Sequence, residues 1–157
     1  MVLFIMQKRK ENKIMSKFSR FMKANKTVKA NELHAVTKSL CDENGKPLEW
    51  EFRHISAKES DAIRDECMRE IPVAGKFGAY RQKLDASKYI HKLITASVVE
   101  PDLFDTELQD SYGVCTPEEL LYAMVDDPGE YNDLAAFVQK LNGFDVSFDD
   151  KVEEAKN

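Results

Sequence analysis

Apolar residues recur along this chain at two spacings, and each change of spacing marks an element. Phe18, Phe21 and Met22 stand at i, i+3 and i+4 within SKFSRFMKANKTVKA (16–30), which predicts a short amphipathic basic helix. After Asn31 the period shortens to two. Trp50, Phe52 and His54 alternate with Glu49, Glu51 and Arg53, as a half-buried strand requires. LHAVTKSLC (33–41) and LEWEFRHI (48–55) flank DENGKP, and an Asn44-Gly45 pair between extended segments is a hairpin signal. We therefore expect a β-hairpin over 33–41 and 48–55. A lone hairpin is marginal in water, so its apolar face must pack on helices or pair with another strand.

From Ser56 onward the pattern is helical. Ser56 and Glu59 form a capping box, and Ala62, Ile63, Cys67 and Ile71 share one face, which predicts a helix to about Glu70. Pro72, Gly75 and Gly78 open a loop, PVAGKFGAY. A second helix begins at Asp85 or Ser87, carries Tyr89, Ile90, Leu93, Ile94 and Val98 as its core stripe, and stops at Pro101. A short helix is expected at 105–111, closed by Tyr112-Gly113. Another is expected at 117–125, with Thr116 as N-cap, Pro117 in the first turn and Glu119 completing a second box. Asp127 and Pro128 start the last one. Its apolar residues are Tyr131, Leu134, Ala135, Phe137, Val138 and Leu141, and Gly143 ends it. The helix at 128–142 should pack on that at 86–99, because both carry wide apolar stripes. The expected fold is mainly α (α+β): a compact helical domain with one N-terminal β-hairpin.

Charge divides the chain. Residues 1–99 hold 20 Lys and Arg against 12 Asp and Glu, whereas 100–157 hold 3 against 16, so poles of +8 and −13 lie behind a net charge of −5. Such polarity permits head-to-tail self-association, two different partners, or simply a solvated acidic end. The stripe Lys17, Arg20, Lys23, Lys26, Lys29 admits three readings: a solvated face, an acidic protein partner (another copy's C-terminal part included), or nucleic acid.

Three widely spaced cysteines, Cys41, Cys67 and Cys115, argue against a disulfide framework or a zinc knuckle and suggest buried free thiols in a reducing compartment. No apolar run reaches the ~18 residues of a membrane span. MVLFIM precedes its basic cluster, the reverse of a signal peptide, so a cytoplasmic protein is expected. Residues 1–14 read as an upstream start or disordered extension ahead of Met15, 15–148 as a single domain, and 149–157 as a frayed acidic tail.

Chemistry-bearing clusters give bland readings. His34, His54 and His91 sit on different elements, and His34 and His54 could meet only as a cross-strand pair. The carboxylate pairs Glu118-Glu119 and Asp126-Asp127 lie at helix starts, where free N–H groups attract negative charge. Gly75-Lys76-Phe77-Gly78 lacks the leading glycine of a phosphate loop. No catalytic, metal-ligating or cofactor-binding residue is nominated, and no cofactor is expected.

Six stretches carry a resemblance. They are ATKSL-DENGKPLEWEFR-I (35–55), IRDEC (63–67), KYI-KLI-ASVV-PDL (88–103), LQDSYGV (108–114), TPEELL (116–121) and MVDDPGEYNDL--FVQKLNGFD (124–145). From Met15 onward the chain resembles the XkdN-like family of phage tail assembly chaperones, found in contractile-tailed phages and prophages of Gram-positive bacteria. That resemblance implies a non-enzymatic role in the host bacterial cytoplasm during virion assembly. The implied chaperone binds the tape-measure protein, keeps its apolar helices soluble, recruits tail-tube subunits, and is absent from the finished tail. Tape-measure and tail-tube proteins are thus the expected partners, with no membrane partner. Amphipathicity places the client in a groove between the 86–99 and 128–142 helices, contacting Tyr89, Leu93, Tyr112, Tyr131, Leu134, Phe137, Val138 and Leu141. The rival reading is a nucleic-acid-binding phage accessory protein that uses the basic N-terminal segment.

Overall fold

Five residues with short side-chain oxygens set the helix starts. In the computed structural model, which describes residues 17–144, α1 spans Ala57–Glu66, α2 Ala86–Ser97, α3 Thr106–Ser111, α4 Pro117–Met124 and α5 Pro128–Leu141. Ser56, Asp85, Asp105, Thr116 and Asp127 precede them, and each accepts a hydrogen bond from a backbone N–H of the first turn. Glu119 also reaches back, its Oε2 accepting from Cys115 N at 3.2 Å. Glu59 also turns back to Ser56, its Oε1 accepting from Ser56 Oγ at 3.3 Å, while its Oε2 pairs with Arg53 at 2.7 Å. The expected extension before Met15 and the acidic tail lie outside the described residues.

The first hairpin forms where the Asn-Gly signal put it. Strand β1 (Glu32–Ala35) pairs antiparallel with β2 (Glu49–Phe52), and His34 lies opposite Trp50. Gly45 takes φ 79°, and Asp42 Oδ1 accepts from Asn44 N and Lys46 N, closing the turn. Trp50 and Phe52 face the core while Glu49 and Glu51 face outward, as the alternation demands.

The fold class needs correction. The molecule is mixed α+β, with five α-helices and two small sheets among the described residues, and not a helical domain with one hairpin. Strand β5 (Val98–Glu100) takes the last residues assigned to the second helix and pairs antiparallel with β2, making a sheet ordered β1-β2-β5. A second hairpin, β3 (Met68–Pro72) with β4 (Tyr80–Leu84), occupies the expected helix end and loop. Helix α1 therefore stops at Glu66, not Glu70. The hairpin escaped notice because both of its faces are largely exposed, so no apolar alternation betrays it. The N-terminal basic segment is likewise no α-helix. It forms two 3₁₀ turns, Lys17–Phe21 and Lys23–Asn25, and Phe18, Phe21 and Met22 stay exposed. With nothing to pack on, an amphipathic helix of this length gains too little to form.

Helices α2 and α5 pack together as expected. Leu93, Ile94, Leu120, Leu121, Leu134 and Val138 join Trp50, Phe52 and Leu103 in one hydrophobic cluster. Cys67 is buried, whereas Cys41 and Cys115 are exposed; all three are free. Among the described residues no helix is long and apolar enough to cross a membrane.

Candidate functional site

The facing stripes of α2 and α5 are closed on each other, so the partner residues nominated from the sequence divide into groups. Leu93, Leu134, Val138 and Leu141 belong to the buried cluster. Tyr89 is half-buried, its hydroxyl 2.7 Å from Ser60 Oγ. Tyr112 caps α3 at the surface, 36% exposed. Tyr131 and Phe137 are half-buried beside the core, each in an aromatic stack.

An open concavity lies on the other flank of α5. It is a cleft of about 870 Å³, with His34–Lys38 and Pro47 as one wall and α5, from Asp127 to Lys140, as the other. Leu134, Ala136 and Phe137 give its floor an apolar character. Two contacts hold the walls together. The His34 ring stacks on Phe137 at 4.0 Å and 7°, and Phe137 meets Phe52 edge-on at 5.1 Å. Glu130 receives Thr37 Oγ1 on one carboxylate oxygen and Lys38 N on the other, both at 2.8 Å. The far end of α5 is tied down by Asn142. Its Oδ1 accepts from Ile55 N at 2.7 Å, and its Nδ2 donates to Ser97 Oγ and Val138 O. Sequence reasoning missed both Glu130 and Asn142, because each acts across about ninety residues and no local pattern signals such a partner.

A second constellation packs α2 against α4 and α5. His91 is buried, with its ring 3.9 Å from Tyr122 and 5.8 Å from Tyr131. Its Nε2 lies 2.8 Å from the Glu118 carbonyl, which can only accept, so Nε2 carries the proton and Nδ1 accepts from the Tyr131 hydroxyl at 2.9 Å. Burial holds the His91 pKa below the ordinary histidine value. Burial, and then Tyr122, pushes the Tyr131 phenol upward. This is a neutral, satisfied core histidine. His34 and His54 do not meet across the hairpin: His34 stacks on Phe137, and His54 Nε2 lies 3.2 Å from the Ala30 carbonyl. Among the described residues no group of three or more His, Cys, Asp or Glu is placed to hold a metal ion.

Large apolar side chains remain at the surface in several places, among them the N-terminal segment (Phe18, Phe21, Val28), the outer face of β1 (Leu33), Phe104 before α3, Tyr122 on α4, and the β3–β4 hairpin, where Met68, Tyr80 and a fully exposed Phe77 stand in solvent.

Known proteins share this chain's sequence pattern and its fold. The chain is 25% identical over 138 residues to the phage-like element PBSX protein XkdN of Bacillus subtilis (strain 168), covering 87% of this chain and 92% of that one. It is 26% identical over 149 residues to the uncharacterized protein YqbN of the same strain, covering 94% and 98%. The crystal structure of the protein YqbN superposes with a TM-score of 0.68 at 20% identity, over 83% of this chain and 99% of that one, which shows a shared fold. The profile of the family described as "Phage XkdN-like tail assembly chaperone protein, TAC" matches residues 18–156. The chain therefore belongs to the XkdN-like phage tail assembly chaperone family.

Proposed function

We propose that this chaperone works without catalysis, in the host cytoplasm, by sheltering an apolar helical segment of the tape-measure protein and bringing tail-tube subunits to it. The observation that carries this reading is the β1–α5 cleft. A holdase needs an apolar trough that stays open while the fold is otherwise satisfied. Here the floor is Leu134, Ala136 and Phe137, and the rim is charged, with Asp127, Asp133, Lys38 and Lys140. A charged rim keeps an open apolar trough soluble and favours reversible docking. Of the nominated partner residues, Phe137 and Leu134 line this cleft, and Tyr112 and Tyr131 offer secondary contacts.

A photo-crosslinking side chain placed at Ala136 or Lys140 tests the reading. Adducts with a tape-measure fragment are expected from both positions and not from Lys58, on α1 and outside the cleft lining. Adducts from Lys58 alone would reject it. The nucleic-acid alternative keeps one supporting observation, the exposed Phe18 and Phe21 among the N-terminal lysines. A mobility shift abolished by neutralising Lys17, Arg20 and Lys23 would favour that alternative.

A further inference from the structure

The β3–β4 hairpin projects from the domain as an arm. Its base is closed by Asp85 N donating to Cys67 O at 2.9 Å, and beyond that its strands pair chiefly with each other. Two-stranded ribbons are marginal in water, so an arm carrying an exposed Phe77 at its tip and Tyr80 beside it gains stability from a surface to lie on. Its charge is also one-sided: Arg69, Lys76, Arg81 and Lys83 stand against Glu70 alone.

The cleft offers the complementary surface. The N-cap and first two turns of α5 supply Asp127, Glu130 and Asp133, with Lys140 a full helix length away and Lys38 on the opposite wall. The dimensions also agree. A five-residue strand spans about 17 Å, and the helix face from Asp127 to Lys140 about 20 Å. No arm residue lines the cleft of its own chain.

We propose that the β3–β4 arm of one copy seats in the β1–α5 cleft of a second copy, with Phe77 on the apolar floor and the arm's cations toward the acidic first turns of α5. The contact is heterologous: two different patches meet, so it builds rings or chains unless two copies exchange arms. Arm and client then compete for one cleft, a consequence that rests on the client reading above; the self-association itself does not.

Light scattering on the size-separated full chain, across protein concentration and salt, reads the contact. The wild type is expected to associate with rising concentration and to dissociate as salt screens the arm. Phe77→Asp and Lys76→Glu, both at exposed positions, weaken association, the first by about thirtyfold, as loss of a buried aromatic anchor does. Ala136→Arg fills the cleft and does the same. Mixing Phe77→Asp with Ala136→Arg restores a mixed dimer, because each variant keeps the half the other lacks. Phe77→Asp still binds the tape-measure fragment, so loss of the arm contact and loss of the client are separable. A wild type that stays monomeric, association that neither variant alters, or mixed variants that never pair would overturn the proposal. So would an arm that retards nucleic acid while Phe77→Asp leaves self-association unchanged.

Discussion

Helix α5 and the β3–β4 arm both carry large apolar side chains, and they dispose of them in opposite ways. In α5, Leu134 and Val138 enter the core, 1% and 0% exposed, and both ends of the helix are tied to other elements by Glu130 and Asn142. In the arm, Phe77 and Tyr80 remain in solvent and the strands lean chiefly on each other. The wide stripes that drew attention to α2 and α5 are mostly spent on holding the fold together. Among the surfaces left for a partner are the outer flank of α5 and the arm itself. A strong amphipathic pattern thus marks where a chain packs on itself first. Surfaces for other molecules lie where apolar side chains are left without that cover.

Substitutions should separate the two regions sharply. The largest effect is expected for Phe52→Ala in the core that α5 covers: about 4 kcal/mol lost in urea unfolding, from lost burial plus the cavity left behind. Phe77→Ala should change stability by less than about 0.5 kcal/mol in the same assay, since its ring touches water on every side. Equal losses would erase the distinction. Next comes Asn142→Ala, at about 2 kcal/mol, because the Ile55 N–H is left without its acceptor. Thr116→Ala removes one N-cap and should cost about 1 kcal/mol.

A smaller effect follows from pH. The folded His91 binds a proton less readily than the unfolded residue, whose pKa is near 6.5. Its contribution is therefore complete above about pH 6.5 and declines as pH falls below it. Urea midpoints measured downward from neutrality should drop in the wild type and drop less in His91→Gln. Identical slopes would remove His91 as a cause. Another small effect is expected for Glu59→Gln, which loses a surface pair with Arg53, worth about 0.5 kcal/mol at low salt and less at high salt.

The sequence announces the acidic C-terminal half of this fold much more clearly than the basic N-terminal half. Each helix from Asp85 onward declares its start through Asp85, Asp105, Thr116 or Asp127, and α3 and α5 declare their stops through Tyr112-Gly113 and Gly143, because capping is a local transaction between neighbours in the chain. The Asn44-Gly45 turn is legible for the same reason. Strands β3 and β4 are not, since a ribbon exposed on both faces shows no alternation, and β5 is three residues recruited by β2 across the fold. The cleft was half visible. Phe137 stood out as an apolar helix position, but its stacking on His34 and the Glu130 bridge to Thr37 and Lys38 depend on how distant elements meet.

The most direct measurement is the soluble yield of the tape-measure protein when it is co-expressed with this chain. Wild type and Phe77→Asp should both hold it in solution, and Ala136→Arg, folded but with its cleft filled, should let it precipitate. Precipitation alongside the wild type, or full rescue by Ala136→Arg, would contradict a chaperone that works through this cleft.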